Sequence, residues 1–143
     1  MNIDAYLYFG AVIVKYVSFL LLSLLLSNTA YAQDPAPIAA AYVSLSPALV
    51  GNYGAGTKLK YYKADIALRV KPENVAKVEY HEPLIRDQLI QLFAQQTDEA
   101  MQEQAGKEAV RQAALKQVQH VLSQEEGQPL VEDLLFNNLV VQP

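Results

Sequence analysis

The chain has 143 residues, a formal charge of −4 from 11 basic and 15 acidic side chains, and no cysteine. Its basic residues are scattered among the acidic ones, which excludes both the concentrated Lys/Arg face that nucleic acid requires and the polybasic run that an anionic lipid surface attracts. Without cysteine there are no disulfides, thiolate metal sites or cysteine nucleophiles, and in an oxidising compartment such a fold rests on its core alone.

Residues 5–32 carry one charge, Lys15, and are too apolar and too long for an ordinary core helix. As a membrane anchor this stretch would need about twenty apolar residues to cross a hydrocarbon layer of roughly 30 Å, and residues 5–26 suffice only with Lys15 inside the bilayer. As a secretory signal, Lys15 supplies the positive region and residues 16–26 the apolar region. Ala30-Tyr31-Ala32 is then the small-x-small cleavage site before Gln33. The signal reading fits better, giving a signal peptide over residues 1–32 with a membrane anchor as the alternative. The apolar residues ahead of Lys15 make an unusual start for a signal; translation beginning near Val12 or Val14 would remove them. Residues 33–41 (QDPAPIAAA), with Pro35 and Pro37 among small side chains, read as a leader that serves for spacing. The remainder, residues 42–143, is sufficient for one domain around one core.

Residues 42–50 alternate Val43 and Leu45 with Ser44 and Ser46 until Pro47 interrupts them, which predicts a short strand at a sheet edge. Gly51, Gly54 and Gly56 follow. No Lys-Ser/Thr pair closes them into a phosphate loop, so they predict a hairpin turn. Residues 58–71 (KLKYYKADIALRVK) are the strongest strand. Tyr62, Ala64, Ile66, Leu68 and Val70 share one face, and Lys63, Asp65, Ala67, Arg69 and Lys71 share a wet one. A sheet covered on one side only is normally antiparallel, with helices gathered on the covered side.

After Pro72, residues 73–80 predict a turn or two of helix with Val75 and Val78 inward. His81-Glu82 matches the opening of a zinc-protease helix, but Ile85 stands where the second ligand belongs, so the pair reads as a polar helix junction. Residues 83–97 (PLIRDQLIQLFAQQT) are the amphipathic helix on which the domain is organised. Ile85, Leu89, Leu92 and Phe93 recur along one stripe, Pro83 suits the first helical position, and Glu82 favours the positive end of the helix dipole. A helix this short is marginal alone and needs an apolar surface to pack on.

Residues 97–106 predict an acidic connector in which Gly106 breaks the pattern before a last helix, residues 107–124. Its stripe is Val110, Ala114, Val118, Val121 and Leu122, and Gly127 is placed to cap it. His120 reads as a boundary residue beside that stripe, and Glu125-Glu126 as a solvated end. In residues 130–142, strict alternation puts Leu134, Phe136 and Val140 on one face and Leu135, Leu139 and Val141 on the other. Two apolar faces predict either a central strand or one that presents a surface to a partner, and a bulge at Asn137-Asn138 would mix the two sets. The predicted fold class is α+β, a small antiparallel sheet packed against two main helices.

Four stretches, KLKYYKADIALRV, PLIRDQLIQLFAQQT, GKEAVR at 106–111 and LLFNNLVVQ, resemble in order and spacing the flagellar basal-body-associated FliL family over residues 42–142. The resemblance implies a periplasmic domain similar to the core of stomatin/prohibitin-type proteins and prone to ring-like self-association. It also implies a non-enzymatic accessory role beside the ion-driven stator units, supporting motility or swarming. A typical family member keeps an inner-membrane helix with a basic cytoplasmic stub; the cleavage-like Ala30-Tyr31-Ala32 departs from that pattern and puts anchoring beside the stator in question. Membrane association through residues 5–32 then follows only if the segment stays uncleaved. The resemblance carries over no catalytic, cofactor-binding or metal residue, and Gly106-Lys107-Glu108 read as fold signatures. The expected partners are flagellar stator and basal-body proteins and further copies of the chain, with no nucleic acid and no cofactor. The alternative from another class is a soluble periplasmic binding module that holds a small apolar or lipidic ligand between sheet and helices. An enzyme has little support, because two histidines and no clustered carboxylates are available for acid–base work.

Overall fold

The computed structural model describes residues 39–142 of the chain. The proposed signal or anchor over residues 1–32, most of the leader, and residue 143 lie outside them. No helix among the described residues is long and apolar enough to cross a membrane.

The fold is α+β: a three-stranded antiparallel sheet with helices on one face. The first hairpin is β1 (Ala41–Tyr53) and β2 (Lys60–Val70), joined across residues 54–59, where Gly54 and Gly56 take positive φ values of 82° and 150°. A short 3-10 turn (Pro72–Asn74) leads into α1 (Val75–Tyr80) and α2 (Glu82–Ala94). Then come α3 (Asp98–Gln102), α4 (Gln104–Glu126) and β3 (Val131–Gln142), which pairs with β2. The order β1-β2-β3 makes β2 the middle strand. Pro47 does lie on an edge strand, in a register shift of β1 between Leu45 and Leu49, where a missing backbone donor costs the ladder little.

The last strand is not central. β3 is the other edge, and its apparent double apolar face comes from a bulge at Asn137. Ile66 pairs with Phe136 and Asp65 with Asn138, leaving Asn137 as the extra residue. Beyond a one-residue insertion every side chain changes face. Leu134 and Phe136 therefore share the covered face with Leu139 and Val141, opposite Leu68, Ile66, Ala64 and Tyr62, while Leu135 and Val140 turn outward opposite Ala67 and Lys63.

The covered face of the sheet meets the stripes of α2 and α4. Tyr62, Ala64, Ile66, Leu68 and Val70 are all buried, as are Ile85, Leu89 and Phe93 of α2 and Val110, Ala114, Val118, Val121 and Leu122 of α4. Leu92 lies partly buried at the margin. Each large side chain removed from water here contributes about 1.5–3 kcal/mol of transfer free energy. The Tyr62 and Phe93 rings are tilted at 4.9 Å, and Phe136 follows Phe93 at 6.0 Å, an aromatic line from the sheet through α2 to the edge strand. Gly51 makes this possible: a Cβ there would lie 2.8 Å from the Tyr62 hydroxyl, so only glycine lets that ring lie across β1. Burial pushes the Tyr62 phenol up to about 12, so it stays neutral.

The outer face is less wet than alternation predicts. Ala67 is buried and Asp65 and Arg69 are half-covered, because Ser44 and Leu135 flank Ala67 in the register.

Gly106 does not break a helix. It sits in the first turns of α4, which starts at Gln104 and runs unbroken to Glu126. The predicted connector itself folds as α3, capped by the Thr97 hydroxyl, which accepts from Ala100 N–H at 3.2 Å. α3 and α4 cross so closely that a Cβ at position 106 would fall 2.6 Å from Ala100 Cα and 2.8 Å from the Glu99 carbonyl oxygen. Glycine is there for close approach and pays roughly 1 kcal/mol in helix propensity. At the far end Gly127 adopts φ 74° and donates its N–H to the Ser123 carbonyl at 3.0 Å, closing α4 as its sequence position implies. Leu130 then turns the chain into β3 with φ 55°, bridged by a contact from Val131 N–H to the Pro129 carbonyl.

Candidate functional site

Two polar clusters lock helices to their neighbours. In the first, Glu126 at the end of α4 meets the junction of α1 and α2: His81 Nε2 lies 2.8 Å from one carboxylate oxygen and Lys77 Nζ 2.9 Å from the other. The His81 side chain is 11% exposed, so the imidazole is held as a structural partner. Its hydrogen bond, followed by that of Lys77, holds the Glu126 carboxyl below the usual carboxylate range. In sequence Glu126 reads as a solvated end; the contact spans 45 residues and has no local signal. The plain reading of His81 as a polar junction residue holds. Its neighbour Glu82 accepts from Arg86 one turn on, at 3.4 Å. His120 is exposed rather than at a boundary.

In the second cluster, Arg111 on α4 fastens the edge strand. Its guanidinium donates to Glu108 at 2.6 and 2.8 Å, to Asp133 Oδ1 at 2.7 Å and to the Leu134 carbonyl at 2.9 Å. The side-chain hydrogen bonds from Arg111 and Gln112 hold the Glu108 carboxyl down at about 2. Further along, Gln119 donates to the Val131 carbonyl at 2.9 Å. α4 therefore ties down the first part of β3 through side chains, one way of covering a strand edge that would otherwise pair elsewhere. Glu108 thus has a structural task, in agreement with reading Gly106-Lys107-Glu108 as fold signatures.

Neither cluster has the composition of a reaction centre. Each is an ion pair between elements, with no hydroxyl or thiol nucleophile beside its base. Among the described residues no group of three His, Cys, Asp or Glu side chains converges as a metal site would require. The space between sheet and helices is filled by Tyr62, Phe93, Ile85, Leu89 and Leu122, which a ligand bound between the layers would have to displace.

Chemical opportunity lies on the surface. Among the described residues, seven large apolar side chains are well exposed: Tyr42, Val50, Leu59, Tyr61, Tyr80, Ile90 and Val140. Four of them gather at the hairpin end of the outer sheet face, where Val50, Lys63 and Val140 form one cross-strand row and Asn52, Tyr61 and Gln142 the next, with Leu59 just ahead of β2. A shallow hollow of about 220 Å³ lies among them. Two others, Tyr80 and Ile90, line an open groove of about 630 Å³ between the α1–α2 junction and Ser46 of β1, rimmed by Glu79, Glu82 and Asp87. Tyr80 is 80% exposed, its ring edge-on to His81 at 5.1 Å.

In a small α+β domain with a packed interlayer and structural ion pairs, the exposed apolar and charged side chains are the groups left open to a partner. The chain belongs to the FliL family: the family model described as flagellar basal body-associated protein FliL matches residues 42–142. No curated protein matches the chain. The family is a flagellar accessory family, and association with components of the flagellar motor follows from it at that level.

Proposed function

We propose that this protein is a non-enzymatic accessory component of the bacterial flagellar basal body that works on the periplasmic side, beside the motor stator, and supports motility or swarming. The observation that carries the proposal is family membership over residues 42–142, nearly the whole of the described domain. Two features support it. The polar clusters at Glu126 and Arg111 bind helices to helices and helix to strand, and the exposed apolar side chains are sorted into patches on a rigid frame. Repetition of such a unit around a stator would brace it through many individually modest contacts, with avidity supplied by number. The periplasmic placement rests on reading residues 1–32 as a signal peptide, or as an anchor if retained, with residues 33–41 as leader and 42–143 as the working domain. The domain would meet stator and basal-body proteins and further copies of itself.

Deletion is expected to shrink swimming zones in soft agar while leaving filaments assembled and countable by electron microscopy. Undiminished motility, in a strain with no second copy of the gene, would remove the proposal. Mass spectrometry of the mature amino terminus from fractionated cells decides the placement: a start at Gln33 in the soluble periplasmic fraction supports release, and an intact segment in the membrane fraction supports the anchored arrangement.

A further inference from the structure

Charge that is scattered along the sequence is sorted by the fold. On the outer face of the sheet, Val50 and Val140 flank Lys63 in one cross-strand row, and Asn52 and Gln142 flank Tyr61 in the next. Lys58 and Leu59 lead into β2 at the same end, and Tyr42 stands beside Arg69 at the other. Lys58 and Lys63 enter no ion pair among the described residues, whereas Lys60 is engaged by Asp98 of α3. Arg69 is answered by Glu132 at 3.5 Å, and the carboxylate that β2 places on this face, Asp65, is half-covered. On the helix side Glu79, Glu82 and Asp87 border one groove. An acidic chain thus presents one face on which the unpaired charge is cationic.

The same face is apolar between its lysines, and it is shallow. Val50 and Leu59 are 62% and 63% exposed, and Val140 joins them. The hollow among Val50, Tyr61, Lys63, Val140 and Gln142 holds about 220 Å³, below the roughly 300–1,000 Å³ of pockets that enclose small ligands. A protein partner draws most of its binding energy from anchors seated deep in pockets, and this face lacks that depth. A bilayer surface needs none. It takes aliphatic side chains at the boundary of headgroups and acyl chains, tyrosine rings with their polar tips outward, and lysines whose stems lie along apolar surface while the ammonium meets phosphate. Tyr42, Tyr61, Val50, Leu59, Val140, Lys58 and Lys63 are that set.

From this sorting of charge and apolar surface we infer that the outer sheet face rests on a bilayer surface containing anionic lipid. Leu59, Val50 and Val140 enter the headgroup boundary, and Lys58 and Lys63 bind lipid phosphates. Two lysines are no polybasic run, so charge orients the domain while apolar contact and tethering hold it. If residues 5–32 stay in the membrane, the leader of residues 33–41 spans at most about 30–32 Å. Tyr42, the next residue, is on the outer face, so the tether keeps that face at high local concentration near lipid. If the segment is cleaved, the face is the released domain's own reversible hold on the membrane. The inference goes beyond the proposed function and depends on no motor component.

The absence of native cysteine makes the test direct. Val50→Cys, Val140→Cys and, as a control on the exposed side of α4, Ala113→Cys are introduced singly and labelled with a fluorophore. Protein purified with the amino terminus it carries in cells is combined with vesicles of phosphatidylethanolamine and phosphatidylglycerol in which some headgroups bear a nitroxide. Labels at positions 50 and 140 should be quenched at least about threefold more than the label at 113, as expected for side chains at the headgroup boundary. Adding Lys58→Glu and Lys63→Glu, or using vesicles of phosphatidylcholine alone, should remove about half of that quenching or more. Equal quenching at all three positions would overturn the inference, as would quenching indifferent to both the lysines and the lipid charge. Protection of positions 50 and 140 from aqueous iodide without quenching by the lipid nitroxide would put a protein on this face, and would overturn it too. Each of these failures leaves the proposed function standing, since that is read from swimming zones.

Discussion

The two faces of one sheet divide the work of this protein. On the covered face, Val43, Leu45, Leu49, Tyr62, Ile66 and Leu68 are sealed against α2 and α4 with almost no exposure, and Gly51 is required so that Tyr62 can lie across β1. On the outer face the same strands present Tyr42, Val50, Tyr61, Lys63 and Val140 to solvent. Because adjacent residues of a strand point to opposite sides, neighbours in sequence serve different ends: Tyr61 is an exposed residue and Tyr62 a core residue. A change on the first face is expected to destabilise the fold, and one on the second to leave it folded.

The sharpest way to break the comparison is Phe93→Ala. It removes the ring between Tyr62 and Phe136 and should cost about 3–5 kcal/mol in chemical denaturation, since the neighbours can collapse only partly into the space. A loss below that of a surface substitution would show that α2 is not the organising helix. Next is Gly106→Ala, where a methyl group meets the backbone of Ala100 and Glu99. The strain, about 1–3 kcal/mol, should outweigh the roughly 1 kcal/mol that alanine gains over glycine in a helix, so the melting temperature should fall where a propensity argument says it should rise.

Smaller and conditional is the effect of Arg111→Gln. Glu108 titrates in the folded state at about 2 instead of its ordinary 4.5, a depressed value, so the contribution is complete above the ordinary pKa and is lost as pH falls through the folded one. The difference in stability between wild type and variant should therefore be constant near neutrality and shrink between about pH 4.5 and 2. A constant difference throughout that range would assign Arg111 a role in packing alone. The smallest effect belongs to the outer face. Val140→Ser, at an exposed edge position, should shift unfolding by no more than about 0.5 kcal/mol in chemical denaturation, which separates the two faces by stability alone.

Much of this division could be read from the chain. Strict alternation in residues 58–71 assigns all five inward side chains of β2, and the Ile85, Leu89, Phe93 spacing assigns the buried stripe of α2, because periods of two and 3.6 are local properties. The glycine after α4 and the bulge near Asn137 were legible for the same reason. What escaped depends on close approach between distant segments. Gly106 looks like a helix breaker until α3 is laid against it, and Glu126 looks solvated until His81 arrives. One miss had a signal: Thr97 followed by Asp98 and Glu99 is a helix start, and it marks α3. Of the candidate contact surface, sequence supplied the exposed half of each alternation; which exposed residues become neighbours required the register.

The register also fixes how the domain carries force. β1 and β3 run in the same direction on either side of β2, with Ala41 at one end of the sheet, opposite Val70, and Gln142 at the other, opposite Tyr61. A strand of this length spans about 33–37 Å. Tension applied through residue 41 and the end of β3 would run along the strands and across hydrogen bonds that lie perpendicular to it. Both ladders would then be loaded in shear, every rung at once, where a pull at a single hairpin end would peel them in turn. A domain strung this way is a stiff tie rather than a hinge, with the exposed row of Val50, Lys63 and Val140 toward the end farthest from residue 41.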